Sequence, residues 1–151
     1  MTFKLFFAIM PFLPLIVFHP SLPAQESPGF SLTVRVDGLR NSEGVIQFAL
    51  YNQEGSIPDE RFEKCWQIKT GVIVKSTSEV VFDNLPKGAY AVNILHDENK
   101  NGRIDKGLIF PKEGIGFSNY KSIGLRNKPN FDKASFEMKT DTIISVKIIY
   151  M

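Results

Sequence analysis

The sequence predicts an all-β chain, an antiparallel β-sandwich of about seven short strands behind an N-terminal signal peptide. Three observations carry this. Apolar and polar residues alternate with period two in several short runs, clusters of Gly, Pro, Asn and Ser separate those runs, and no segment shows the 3.6-residue period of a long helix.

The N-terminus has the order of an export signal. Lys4 supplies positive charge, and the apolar run Leu5–Phe18 is interrupted by Pro11 and Pro14. A spanning helix needs roughly 20 apolar residues, so this run is short for an anchor. Pro20-Ser21-Leu22-Pro23-Ala24 follows, and cleavage after Ala24 is the expectation; an uncleaved anchor is the alternative. The organisation read from the chain is signal peptide 1–24, a short linker 25–29 and a single domain 30–151, destined for the periplasm or secretion. No membrane span is expected once the signal is removed.

Leu32, Val34 and Val36 alternate with Thr33 and Arg35, which marks a half-buried strand over Ser31–Asp37. Gly38–Gly44 is a turn, and Val45–Tyr51 is a second strand, expected to form a hairpin with the first. Pro58–Lys64 suits one or two helical turns, since Pro and acids favour a helix start. Gln67–Val74 and Glu79–Asp83 read as strands around a turn at Lys75–Ser78. Asn84-Leu85-Pro86-Lys87-Gly88 sets a tight corner, and Tyr90 just after it resembles the tyrosine corner of Greek-key sandwiches. Tyr90, Val92, Ile94 and His96 then share one strand face. Residues 106–133 show no sustained period, so they must be organised by something else, be mobile, or form a binding surface. Ala134–Met138 and Thr142–Tyr150 close the chain as strands.

Composition excludes several functions. The formal net charge is +2, which gives no electrostatic reason to expect nucleic acid or an anionic membrane as partner. Cys65 is the single cysteine, so no intrachain disulfide can form; such a thiol is ordinarily a small buried residue, and pairing with another chain is the alternative. One Cys and, beyond the signal, one His rule against an all-protein structural zinc site.

The one segment whose residue types and spacing suggest chemistry is His96–Asp105. Asp97, Asn99 and Asn101 stand at positions one, three and five of an EF-hand-type calcium loop, Gly102 at six, Arg103 at seven through its carbonyl, and Asp105 at nine. Hard oxygen ligands of this kind suit Ca2+. Position twelve is Leu108 where a bidentate Glu belongs, and the segment follows a strand, so the loop is not an EF-hand. Any ion would need a further carboxylate, with Glu98 and Glu113 nearest and Glu113 placed to fold back. A site so short of carboxylates would bind at roughly millimolar Ca2+. The competing reading is a metal-free turn in which the Asx side chains bond their own backbone.

A hydrolase built on His96 is the weakest reading. Asp97 is its neighbour along a strand and points to the opposite face, no G-x-S-x-G occurs, and carboxylate pairs such as Glu113 with Asp105 arise in any chain with this many acids. No catalytic residue is assigned, and the chain is read as a non-enzyme.

The chain also resembles a family of exported bacterial proteins classified only as a conserved domain of unknown function. The matching pieces are Leu32-Thr33-Val34 with Gly38–Asn41, Gly44–Asn52, Phe82–Val92, His96–Gly102, Pro111–Asn119, and Phe131-Asp132 with Ala134-Ser135-Phe136. The resemblance covers nearly all of residues 30–150, and the His-Asp-Glu-Asn-x-Asn-Gly block is its most specific part. It implies a periplasmic or secreted sandwich, immunoglobulin-like or transthyretin-like, and brings no established activity. It also implies that the Asp97 loop and Glu113 belong to one surface feature. The expected role is a binding or structural module of the cell envelope, with an envelope protein or a glycan as partner and Ca2+ as the one cofactor the loop suits.

Overall fold

The computed structural model describes residues 29–151, so the expected signal peptide and nearly all of the linker lie outside it. Among the described residues there are eight strands, one more than the sequence suggests. They are β1 (Phe30–Val36), β2 (Val45–Tyr51), β3 (Gln67–Gly71), β4 (Ser78–Leu85), β5 (Gly88–Asp97), β6 (Gly114–Phe117), β7 (Phe136–Met138) and β8 (Thr142–Ser145), with one short helix, α1 (Phe131–Ala134). They form a sandwich of two sheets. One has the order β4-β1-β8; the other has the order β3-β2-β5-β6, with β7 beside the first part of β5. All pairings between strands are antiparallel except β1 with β8, which is parallel.

The core between the sheets is built from the alternating positions. Leu32, Val34 and Val36 meet Ile46, Phe48 and Leu50, with Phe82, Val92 and Ile94 beside them. β2 and β5 also bury apolar residues on their other face, alongside the fully buried Asn93 and Asp97. Ala49, Tyr51, Ala91 and Leu95 join Ile115 and Phe117 in a second cluster, covered by Ile57, Phe62, Tyr120, Phe131 and Ala134. The aperiodic stretch 106–133 is therefore organised largely as a lid on the outer face of the larger sheet.

This double burial explains why β1 and β2 are not the hairpin expected of them. β2 needs cover on both faces and takes a central place between β3 and β5. β1 leaves Thr33 half-buried and Arg35 exposed, and joins the other sheet between β4 and β8. The helical turns expected at Pro58–Lys64 do not form either. Phe62 has φ 57°, outside the right-handed helical region. The buried Asp59 carboxylate instead gathers the loop, accepting from the N–H groups of Glu63 (3.1 Å) and Lys64 (2.8 Å) and from the Tyr51 hydroxyl (3.3 Å). Ala134 ends α1 rather than opening a strand.

The corner at Pro86 is as the sequence indicates. The Tyr90 hydroxyl donates to the Pro86 carbonyl at 2.7 Å, pinning the chain as it enters β5, and Trp66 stacks on the Tyr90 ring at 5.8 Å. Among the described residues no helix is long and apolar enough to cross a membrane.

Candidate functional site

β5 delivers His96 and Asp97 to one end of the sandwich, and the connection from there to β6 carries the motif. His96 continues the inward face of β5 and is fully buried. Its Nε2 lies 2.9 Å from the Glu43 carbonyl, which can only accept, so Nε2 carries the proton. The Tyr150 hydroxyl then donates to Nδ1 at 2.7 Å. Both ring nitrogens are engaged, and the imidazole ties the turn before β2 to the end of the chain.

Asp97 is fully buried as well, on the opposite face. Its Oδ1 accepts from the N–H of Asn101 (3.0 Å) and its Oδ2 from the N–H of Gly102 (2.8 Å). The other Asx residues repeat this on a smaller scale. Asn99 Oδ1 accepts from Asn101 N–H and Asn101 Oδ1 from Arg103 N–H, both at 3.0 Å. Asn99 Nδ2 donates to Asp105 Oδ2 at 2.7 Å. Hydrogen bonds from Asn101 and Asn99 hold the Asp105 carboxyl below the usual range. Gly102 takes φ 74°, the left-handed conformation the turn requires.

Glu113 folds back across this loop, as its position suggests. It is buried, and its carboxylate accepts from the N–H of Glu98 (3.1 Å) and of Asp105 (3.3 Å), joining the two ends of the loop. Burial pushes its pKa up, with the charges of Asp105 and Asp97 adding to the rise. Glu98 turns away from the loop. Its carboxylate accepts from Arg40 Nε (2.8 Å) and Asn41 Nδ2 (2.6 Å), and the Arg40 guanidinium lies 4.6 Å over the Tyr150 ring. Asp97, Asn99, Asn101, Arg103, Asp105 and Glu113 thus share one surface feature. Among the described residues no three His, Cys, Asp or Glu side chains gather closely enough to hold a metal ion between them.

The Arg40 hydrogen bond, then that from Asn41, holds the Glu98 carboxyl below its ordinary range. A carboxylate lowered on folding stabilises the fold above its unfolded pKa of about 4.3, and that contribution is lost as pH falls through the folded value. Glu98→Gln is therefore expected to cost about 1–2 kcal/mol at neutral pH and progressively less in acid. Urea unfolding across the acid range would show the difference closing; a constant difference would contradict the pairing.

Beyond the loop lies a feature that the sequence reading missed. Lys106 and Pro111 bridge to close a short hairpin, and Leu108, Ile109 and Phe110 at its tip are 106, 71 and 42 % exposed. Gly124 and Asn127 close a second one with Leu125 at its tip, 70 % exposed. Between them is a pocket of about 390 Å3, lined mainly by Ile104, Ile109, Phe110, Ile115, Phe117 and Leu125. Three consecutive apolar residues in a polar loop were the available signal. Ile115 and Phe117 of β6 line the pocket, and Glu113 immediately precedes that strand. Cys65 is half-buried and a free thiol; burial raises its pKa, and its Sγ contacts the Phe62 carbonyl at 3.1 Å.

A model of a bacterial family described as an uncharacterized conserved protein, DUF2141, matches residues 34–145. No curated protein and no solved structure matches the chain.

Proposed function

We propose that this chain, which belongs to the DUF2141 family, is a non-enzymatic binding module exported to the cell envelope, and that the end of the sandwich bearing the Asx loop is its binding face. The observation that carries the reading is the apolar pocket between the two tips, lined by the exposed Ile109, Phe110 and Leu125, with Leu108 exposed beside Ile109. Exposed apolar side chains around a concavity mark a binding surface more often than they decorate an idle loop. Two engaged ring nitrogens on a fully buried His96 support a structural role for that residue.

The test is an apolar fluorescent probe, anilinonaphthalene sulfonate, titrated into the folded chain. Binding at the pocket is expected to weaken about tenfold, roughly 1.4 kcal/mol, in Ile109→Ser/Phe110→Ser. No binding, or equal binding by the variant, would refute the assignment.

A second reading places Ca2+ in the loop, held by Asp97, Asn99, Asn101, the Arg103 carbonyl, Asp105 and Glu113. The reach of Glu113 to both ends of the loop favours it. The ion would have to compete with the backbone N–H groups these oxygens already accept, which is the strength of the metal-free alternative. Roughly millimolar Ca2+ should then raise the melting temperature of the native chain and leave Asp97→Ala/Asp105→Ala unmoved. An unshifted melting curve for the native chain would remove this reading and leave the pocket assignment standing.

A further inference from the structure

The net charge of +2 hides an uneven distribution. Between residues 99 and 129 there are seven Lys and Arg side chains, all exposed, against two acids, Asp105 and Glu113. Glu113 is buried and committed to backbone N–H groups. Arg103 pairs with Asp105 and Lys106 with Glu60; among the described residues the other five basic side chains have no salt-bridge partner. The remainder of the chain is net acidic, and of its acids Asp59, which is buried, and Glu60, which is paired with Lys106, line the same pocket, so the basic excess is concentrated in the segment that carries the two tips.

That charge is layered with the apolar tips. Lys106 and Lys112 flank Leu108-Ile109-Phe110, and Lys121, Arg126 and Lys128 flank Leu125. The same order, an apolar apex with basic shoulders, occurs in both hairpins, and both tips line one pocket. An apolar apex gains by leaving water for a hydrocarbon interior, and basic shoulders gain beside an anionic headgroup layer just above it. A groove on a protein would have to supply this layering twice; a lipid interface supplies it everywhere.

We propose that this end of the sandwich docks onto anionic phospholipid membranes, inserting the Leu108–Phe110 and Leu125 tips among the acyl chains while Lys112, Arg126 and Lys128 contact headgroups. This rests on the binding-face reading and names the partner. It is peripheral attachment by loops, not a span.

The test uses the full chain with Cys65→Ser and one new cysteine labelled with an environment-sensitive nitrobenzoxadiazole dye, at Leu108→Cys, Leu125→Cys or, at a distance from the tips, Lys139→Cys. Position-specific labels separate docking by this end from any attachment through the N-terminus. With vesicles of phosphatidylglycerol and phosphatidylcholine, dyes at 108 and 125 should brighten and shift to the blue, and the dye at 139 should not. The response should weaken with salt and disappear on vesicles of phosphatidylcholine alone. Each of Lys112→Gln, Arg126→Gln and Lys128→Gln should weaken partitioning about fivefold. No response at 108 and 125 on the mixed vesicles, an equal response on phosphatidylcholine, or a response only to a soluble acidic amphipathic peptide would overturn the proposal. Anilinonaphthalene sulfonate is titrated in parallel: if it still binds the native chain and is lost in Ile109→Ser/Phe110→Ser, only the membrane assignment fails; if it does not bind, the binding-face reading fails too.

Discussion

Gly44→Ala is expected to destabilise the chain by about 3–4 kcal/mol. Gly44 has φ 71°, and a Cβ placed on it would sit 1.9 Å from the Asp97 carbonyl oxygen and 2.5 Å from Glu98 Cα. The left-handed conformation costs an L-residue about 1–2 kcal/mol. Forcing a methyl against backbone that cannot rotate away adds about 1–3 kcal/mol, as overpacking does elsewhere. For a domain with a total stability of about 5–15 kcal/mol this is a large fraction. The displaced groups are the Asp97 carbonyl and the start of the Asx loop, so that loop should suffer first. Urea unfolding would give the magnitude, and amide exchange at residues 97–105 its location. A variant with native stability would show that the turn before β2 can retreat from β5, contrary to the tie from His96 Nε2 to the Glu43 carbonyl.

The second large effect is expected at Asp97. Its carboxylate accepts the N–H groups of Asn101 and Gly102 from a fully buried position. Asp97→Ala strips both acceptors and leaves a hole, for a loss of about 2–3 kcal/mol, hydrogen bonds to a charged group being worth more than neutral ones. Asp97→Asn retains one carbonyl acceptor and turns an amide toward the second N–H, so about half the loss should remain. Exchange should accelerate from residue 98 to residue 105 while the β1 amides stay protected. Uniform acceleration throughout would mean that Asp97 supports the whole sandwich rather than its loop.

The strands were legible wherever one face is wet. β1 shows clean alternation because Arg35 meets solvent and Thr33 is only half-buried; β5 is buried on both faces, and its inward set Tyr90, Val92, Ile94 and His96 could be read only because the Pro86 corner fixes where the strand begins. The Pro86 corner was legible because its chemistry is local. Pairing was not. The apolar Ala49 and Tyr51 on the second face of β2 are what mark a central strand, and a hairpin reading looks only at the connection. β6 was hidden by its glycines. A Cβ at Gly114 would meet the Tyr150 ring at 2.3 Å, so a residue that reads as loop is demanded by the packing of the extended segment around Ile149 and Tyr150 onto this strand. At the candidate site, the five loop residues Asp97, Asn99, Asn101, Arg103 and Asp105 and the return of Glu113 could be read from spacing. The pocket and the basic shoulders could not, because they arise from two hairpins brought together by the lid, and a whole-chain charge averages the concentration away.

The seam between β1 and β8 has a consequence for timing. Val34 pairs with Val80 on one side and Ile144 on the other, and Val146 N–H donates to the Arg35 carbonyl at 2.8 Å. β1 therefore finds its second neighbour only when β8, more than a hundred residues later, is available. Pairings so distant in sequence close slowly, because chain entropy must be given up before they contribute. A nascent chain of this topology leaves the β4-β1-β8 sheet incomplete until β8 has been made, so β1 stays open to other partners through most of the synthesis of the domain.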